Sequence, residues 1–200
     1  MKWDVRSVKF RVADTFVRYN RAGPESGNKP KGGTKMVEID KIPAEARWQI
    51  AAQGLTGAYM ACADMLRKEK GDAFYIEFAK QLWGSVGARA KEFTNVFGLP
   101  TGTAKELNEA VLLFAMSSMG PEFQFEMIEE SDNRCVCQTT TCPWVNRANE
   151  QGVADPKCKE GHMQWGESVV KALNPDMKFT LTRSMPDGDS KCEWIFEKRT

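Results

Sequence analysis

The spacing of apolar residues changes period at Pro121, and that change decides what the chain can fold into. Ahead of it, apolar side chains recur every three or four residues. Ala51, Leu55, Ala58, Cys62 and Met65 follow one another at steps of four, three, four and three, which is the spacing of one helix face. This predicts a helix with Pro43 near its first position and Gly71 at its end, with Cys62 in the core. A second helix is expected from about Asp72 to Phe97, with Tyr75, Phe78, Leu82, Val86, Phe93 and Phe97 on its inner side. "GLP" stops it. A third opens on "TAKE", where Thr103 and Glu106 make a capping box, and runs through Leu107, Val111 and Phe114 to "MGP".

Past Pro121 the period drops to two. In "EFQFEMIEE", Phe123, Phe125 and Met127 alternate with Glu122, Gln124 and Glu126, the pattern of a half-buried strand. "SDN" is turn material and "RCVCQTTT" returns as a second strand. A short helix over "PWVNRANEQG" follows. Another is expected to start with Asp155 as N-cap and Pro156 at the first position, and to run to about Leu173. "MKFTLTR", the turn "PDGD" and "KCEWIFE" then read as a closing hairpin. The expected fold is α+β: a helical half over 41–118 packed on an antiparallel sheet of β-β-α-α-β-β order over 121–200. Residues 1–40 read as a separate segment. Val5, Val8, Val12 and Phe16 predict a short amphipathic helix, with a strand as the alternative, and the Gly-, Pro- and Lys-rich 20–35 stretch predicts a solvated, mobile loop.

Charge narrows the function classes. Lys and Arg total 28 against 27 Asp and Glu, so no basic field supports nucleic-acid binding. No apolar run reaches the roughly 18 residues of a membrane span. The charged start "MKWDVRSVKF" lacks the apolar region of a signal peptide, so a cytoplasmic protein acting on a small molecule is expected, with a homo-oligomer compatible. In a reducing compartment, clustered cysteines point to metal binding or catalysis rather than to disulfides.

The cysteines are placed for such chemistry. Cys158, His162, Trp165, Val169 and Ala172 form one helical stripe. The Cys158–His162 pair, one turn apart, can aim both side chains at one zinc or other transition-metal ion. Cys192 shares an inward strand face with Trp194 and Phe196, while Cys142 lies just past the second strand. Cys142, Cys158, His162 and Cys192 are thus expected to meet at one edge of the sheet, with Trp144 walling a pocket beside them. Cys135 and Cys137 share a strand face, where they either pack or join a metal or redox site. Four thiolates from Cys135, Cys137, Cys142 and Cys158 or Cys192 would also suffice for an iron–sulfur cluster.

The span 142–196, from "CPWVNRANEQG" to "KCEWIF", resembles the C-terminal core of the L-2-amino-thiazoline-4-carboxylic acid hydrolase family. The matching positions are Cys142, Cys158, His162, Asn174–Pro175, Thr182, Arg183, Gly188 and Cys192. Asn146 stands where that pattern carries an acidic residue. The closing "GDSKCEW" is similar to the last hairpin of vinyl-reductase-type ligand-binding domains. The resemblance implies hydrolytic opening of a small cyclic C–N bond. Joined to the residues, it implies a metal held by Cys142, Cys158 and Cys192 that acidifies a bound water, with Cys158 and His162 catalytic and Arg183 anchoring a substrate carboxylate. The alternative is a ligand-binding or sensor domain in which the same cysteines hold a structural zinc.

Overall fold

The computed structural model describes residues 39–153 and 156–200. The readings made above for residues 1–35, and Asp155 as an N-cap, lie outside the described residues. Asp40–Thr200 form one compact unit. Its helices are α1 (Ala44–Lys70), α2 (Asp72–Ala88), α3 (Ala90–Phe97), α4 (Ala104–Met119), α5 (Pro143–Glu150) and α6 (Lys159–Leu173). Its strands are β1 (Gln124–Glu130), β2 (Arg134–Thr141), β3 (Met177–Arg183) and β4 (Cys192–Lys198). They make one four-stranded antiparallel sheet in the order β1-β2-β4-β3. The fold is α+β, with the helical half first. Among the described residues no helix is long and apolar enough to cross a membrane.

Period-two alternation puts Cys135, Cys137 and Thr139 of β2, Cys192, Trp194 and Phe196 of β4, and Met177 and Phe179 of β3 on one buried face. Leu107, Val111 and Ala115 of α4 and Val169 and Val170 of α6 close over it as the main core. The other face is mainly polar around the Val136–Ile195 pair. There Lys191 donates to Glu126 and Gln138, Gln138 donates to Glu193, and Thr182 donates to Glu193.

Local chemistry fixes the joints. Thr103 and Glu106 form the expected capping box. The β1–β2 turn is held by Ser131, whose hydroxyl accepts from the Arg134 N–H and donates to its carbonyl. Gly188, at φ 97°, ends the short 3-10 turn between β3 and β4. Asn174, at the end of α6, donates to the carbonyls of Thr101 and Gly102. That bond ties α6 to the entry of α4.

Three features differ from the sequence reading. The helix expected over 72–97 breaks at Arg89 into α2 and α3. The last long helix begins at Lys159, because Lys157 takes φ 48° and keeps the preceding chain out of the helix. Most consequential, the stripe expected to be the buried face of α1 faces outward. Ala51, Leu55, Ala58, Cys62 and Met65 are all exposed, and Ala52, Thr56, Met60 and Ala63 are buried instead. Helix α1 is apolar on two sides, so periodicity alone does not say which side meets the core.

Candidate functional site

A cavity of about 110 Å³ opens between the helices and the edge of the sheet. Cys142, Cys158, His162 and Cys192 all line it. Each arrives from a different element. Cys142 is the N-cap residue of α5, Cys158 is the N-cap residue of α6, His162 sits in the first turn of α6, and Cys192 opens β4. The β2–β4 register sets Thr139 opposite Cys192, which brings the end of β2 and the start of α5 beside the start of β4.

The rest of the wall is apolar and largely aromatic. Tyr59, Trp83 and Trp144 form a mutually edge-on trio with ring centroids 5.1–5.2 Å apart. Behind them the Trp83 indole N–H donates to the Tyr59 hydroxyl at 2.9 Å, and Tyr59 and Tyr75 share a hydrogen bond at 3.0 Å. His162 is enclosed by Trp194, Trp165 and Phe179, with ring centroids at 5.6, 5.8 and 5.9 Å.

This enclosure sets the protonation states. Burial pushes the His162 imidazole down to about 4, so it is neutral at neutral pH. Burial pushes the Cys142 thiol up to about 11, against the opposing pull of the Val145 and Trp144 backbone N–H groups at the start of α5. Cys158 is raised well above its ordinary value by burial and by its proximity to Cys142 and Cys192. Cys192 is also raised by burial, partly offset by the Met185 N–H that donates to its sulfur at 3.3 Å. Three protonated thiols and a neutral imidazole therefore share an apolar chamber. Among the described residues, none that lines it is Asp, Glu, Lys or Arg.

The other sequence-selected residues are placed differently. Trp144 is in the wall. Arg183 is exposed at the end of β3 and does not line the cavity. Cys135 and Cys137 are buried in the main core, away from the cavity lining, and burial raises both thiols, Cys137 to about 12. Among the described residues, no three His, Cys, Asp or Glu side chains are placed to hold a metal ion.

Sequence reasoning missed Tyr59 and Trp83, because an aromatic residue on a helix reads as core unless its neighbours are known. It also missed Glu122. The Glu122 Oε1 accepts from Asn146 and from the buried Arg147 guanidinium, while its Oε2 is buried with no hydrogen-bond partner among the described residues. Asn146 thus supports a carboxylate supplied from the start of the sheet.

No curated protein matches the chain in sequence. Among solved structures, the chain is similar in fold to the phenol-responsive sensory domain of the transcription activator PoxR with phenol. That match has 11% identity and a TM-score of 0.54, and covers 72% of this chain and 74% of that one. It is also similar to a trafficking protein particle complex subunit 3 from Naegleria fowleri covalently bound to palmitic acid. Here identity is 14% and the TM-score 0.53, with 76% of this chain and 96% of that one covered. The family model for L-2-amino-thiazoline-4-carboxylic acid hydrolase matches residues 52–196, well over half of the sequence and all of the cavity wall, and the chain belongs to that family.

Proposed function

We propose that the chain is a small-molecule hydrolase that opens a cyclic C–N bond of a thiazoline-like ring inside the Cys142–Cys158–His162–Cys192 cavity. The observation that carries this reading is the meeting of three thiols and one imidazole from four separate elements in a single apolar chamber. Family membership supports the reaction class. The volume suits one small ring, since an apolar cavity of about 150 Å³ takes benzene. With no cation among the described lining residues, a carboxylate drawn inside would be desolvated without a partner. The ring therefore enters uncharged, or leaves any carboxylate at the solvent end.

Of the three thiols, Cys142 is the candidate nucleophile, because it sits at the N-cap of α5, where the nearby Val145 and Trp144 backbone N–H groups favour its thiolate against burial. A neutral imidazole has one N–H and one lone pair. His162 can take the thiol proton on one nitrogen and release a proton from the other to the ring nitrogen, without a net charge forming in the chamber. Sulfur bonds to the C=N carbon as the ring nitrogen takes the thiol proton, which gives a tetrahedral carbon. The ring C–N bond then breaks as that nitrogen takes a second proton, from the exocyclic amino group of the 2-aminothiazoline, whose nitrogen forms the new C=N bond. One water then adds to that carbon and displaces the thiol, which regains its proton. In the metal-assisted version, Cys142, Cys158 and Cys192 would be ligands. Three thiols and an imidazole are a donor set suited to zinc, but their arrangement does not itself form a coordination site and each thiol would first have to lose its proton.

A second reading is a ligand-binding or sensor domain. It is favoured by the apolar, aromatic lining and by fold neighbours that carry phenol and palmitic acid. The deciding experiment incubates the chain with 2-aminothiazoline and with its 4-carboxylate, measuring ring opening and, in parallel, heat of binding. Turnover supports the hydrolase. Saturable binding without turnover supports the sensor reading. Elemental analysis of the same sample tests the metal-assisted version.

A further inference from the structure

Helix α1 carries an apolar face that the rest of the described fold leaves uncovered. Ala51, Leu55, Ala58, Cys62 and Met65 lie on that face and all are exposed, with Leu55 at 54% and Met65 at 65%. The face extends for about 21 Å along the helix at 1.5 Å per residue. Scattered single apolar residues on a surface need no explanation, but a continuous stripe of this length marks a contact.

We infer that this face is the two-fold interface of a homodimer, with two copies of α1 packed antiparallel about Ala58. The argument rests on what a two-fold axis beside Ala58 would set opposite each residue. Ala51 meets Met65 of the second copy, and Leu55 meets Ala61. Gly54 meets Cys62. Each large side chain is thereby matched with a small one, which lets the helix backbones approach closely.

Charge follows the same symmetry. Arg47 and Glu69 bracket the stripe on the same face, and the axis sets Arg47 opposite Glu69 of the second copy, twice over. Arg47 already touches Asp40 of its own chain at 3.2 Å, a contact exposed enough to be shared. A parallel pairing would instead set Arg47 against Arg47 and Glu69 against Glu69, which opposes itself at both ends. The opposite face of α1 carries Tyr59 and Met60 to the cavity wall. The dimer therefore backs the site without blocking it, and each protomer keeps a complete cavity.

The test uses the full chain. Light scattering after size exclusion at tens of micromolar is expected to give twice the 22.5 kDa chain mass. Ala58→Glu is expected to give the monomer mass with an unchanged far-ultraviolet circular dichroism spectrum. Arg47→Glu is expected to weaken the dimer by about tenfold, and the Arg47→Glu/Glu69→Arg double variant to restore it. In a Cys62→Ser background, Ala58→Cys is expected to form a covalent dimer under copper–phenanthroline. Two thiols then become one disulfide, and the oxidant takes the two electrons. A monomeric wild-type chain overturns the inference and assigns the face to the chain's own first 38 residues or to another partner. A dimer that survives Ala58→Glu, a charge reversal that fails to restore it, or Ala58→Cys chains that do not cross-link each overturn the antiparallel arrangement.

Discussion

The Trp194 indole N–H donates to the side-chain carbonyl of Asn108 at 3.1 Å, inside the core and across the junction between β4 and α4. Both residues are almost fully buried, and the Asn108 amide also reaches the Met127 sulfur at 3.3 Å. This bond fixes the ring of Trp194, one face of which borders the cavity. Asn108→Ala would leave the indole N–H buried and unpaired, a loss of about 1–3 kcal/mol, with a small void added. Urea denaturation is expected to show a lower midpoint with an unchanged slope.

The packing of α2 on α6 makes a sharper prediction, because two glycines three residues apart should behave oppositely. A Cβ on Gly87 would lie 2.4 Å from the Trp165 carbonyl oxygen, a backbone atom that cannot turn aside. A Cβ on Gly84 would lie 3.3 Å from the flexible Gln164 side chain. Gly87→Ala is expected to cost about 1–3 kcal/mol and to shift Trp165 in the cavity wall. Gly84→Ala is expected to be neutral or to gain up to about 1 kcal/mol from helix propensity. Thermal melts of the two variants, with tryptophan fluorescence as the second readout, check the pair.

The neutral chamber predicts how stability follows pH. Between pH 6.5 and about 4 the unfolded chain binds a proton on His162 that the folded chain refuses. Stability therefore falls as pH drops through that window, by on the order of 3 kcal/mol. Above the ordinary thiol range the sign reverses. The folded chain keeps the Cys142 proton up to about pH 11 while the unfolded chain releases it near 9, so stability falls again as pH rises. A plateau between roughly pH 6.5 and 9 is expected. His162→Phe should flatten the acid limb alone, measured by urea midpoints from pH 4 to 7.

Much of this site could be read before the structure, for a definite reason. Cys142, Cys158, His162 and Cys192 each sit at the start of an element, and element starts are marked by turn chemistry and by changes of period. The inward face of β4 followed from alternation, as did the shared face of Cys135 and Cys137. Three things were not legible. The register between strands decides that Thr139, not Cys137, stands beside Cys192, and nothing local encodes that pairing. The inner face of α1 was also hidden, because Ala52, Thr56, Met60 and Ala63 are no more apolar than the outward stripe. Their burial is decided by partners from distant segments, Met60 packing with Ala148 and Val153. The aromatic trio is illegible for the same reason: Tyr59, Trp83 and Trp144 come from three helices.

The ion pair beneath Cys142 gives a further test. Arg147 donates to Glu122 at 3.1 Å and to Glu150 at 2.6 Å, and it is the most enclosed member of the group. Replacing Arg147 with alanine leaves the Glu122 carboxylate buried with Asn146 alone, a change expected to cost about 3–5 kcal/mol. Glu122→Gln keeps an oxygen for both donors and is expected to cost less. A larger loss for Glu122→Gln than for Arg147→Ala in chemical denaturation would contradict this ranking.

The hydrolase reading is tested most directly by separating the thiols. Cys142 sits at the N-cap of α5, where two nearby backbone N–H groups favour its thiolate, and in the proposed reaction its sulfur alone bonds to substrate. Cys142→Ser is expected to lower kcat by on the order of 10³-fold or more while leaving substrate binding nearly unchanged, since the chamber keeps its shape. His162→Ala should cost about 10²–10⁴-fold through lost proton transfer. Cys135→Ala, in the core and outside the cavity, should lower stability without changing kcat. Intact-mass spectrometry of quenched wild-type reactions should catch the covalent adduct, and it should be missing from Cys142→Ser. An adduct that persists in Cys142→Ser would move the nucleophile to Cys158 or Cys192. Full turnover without any adduct, in a metal-containing protein, would favour the metal-assisted route.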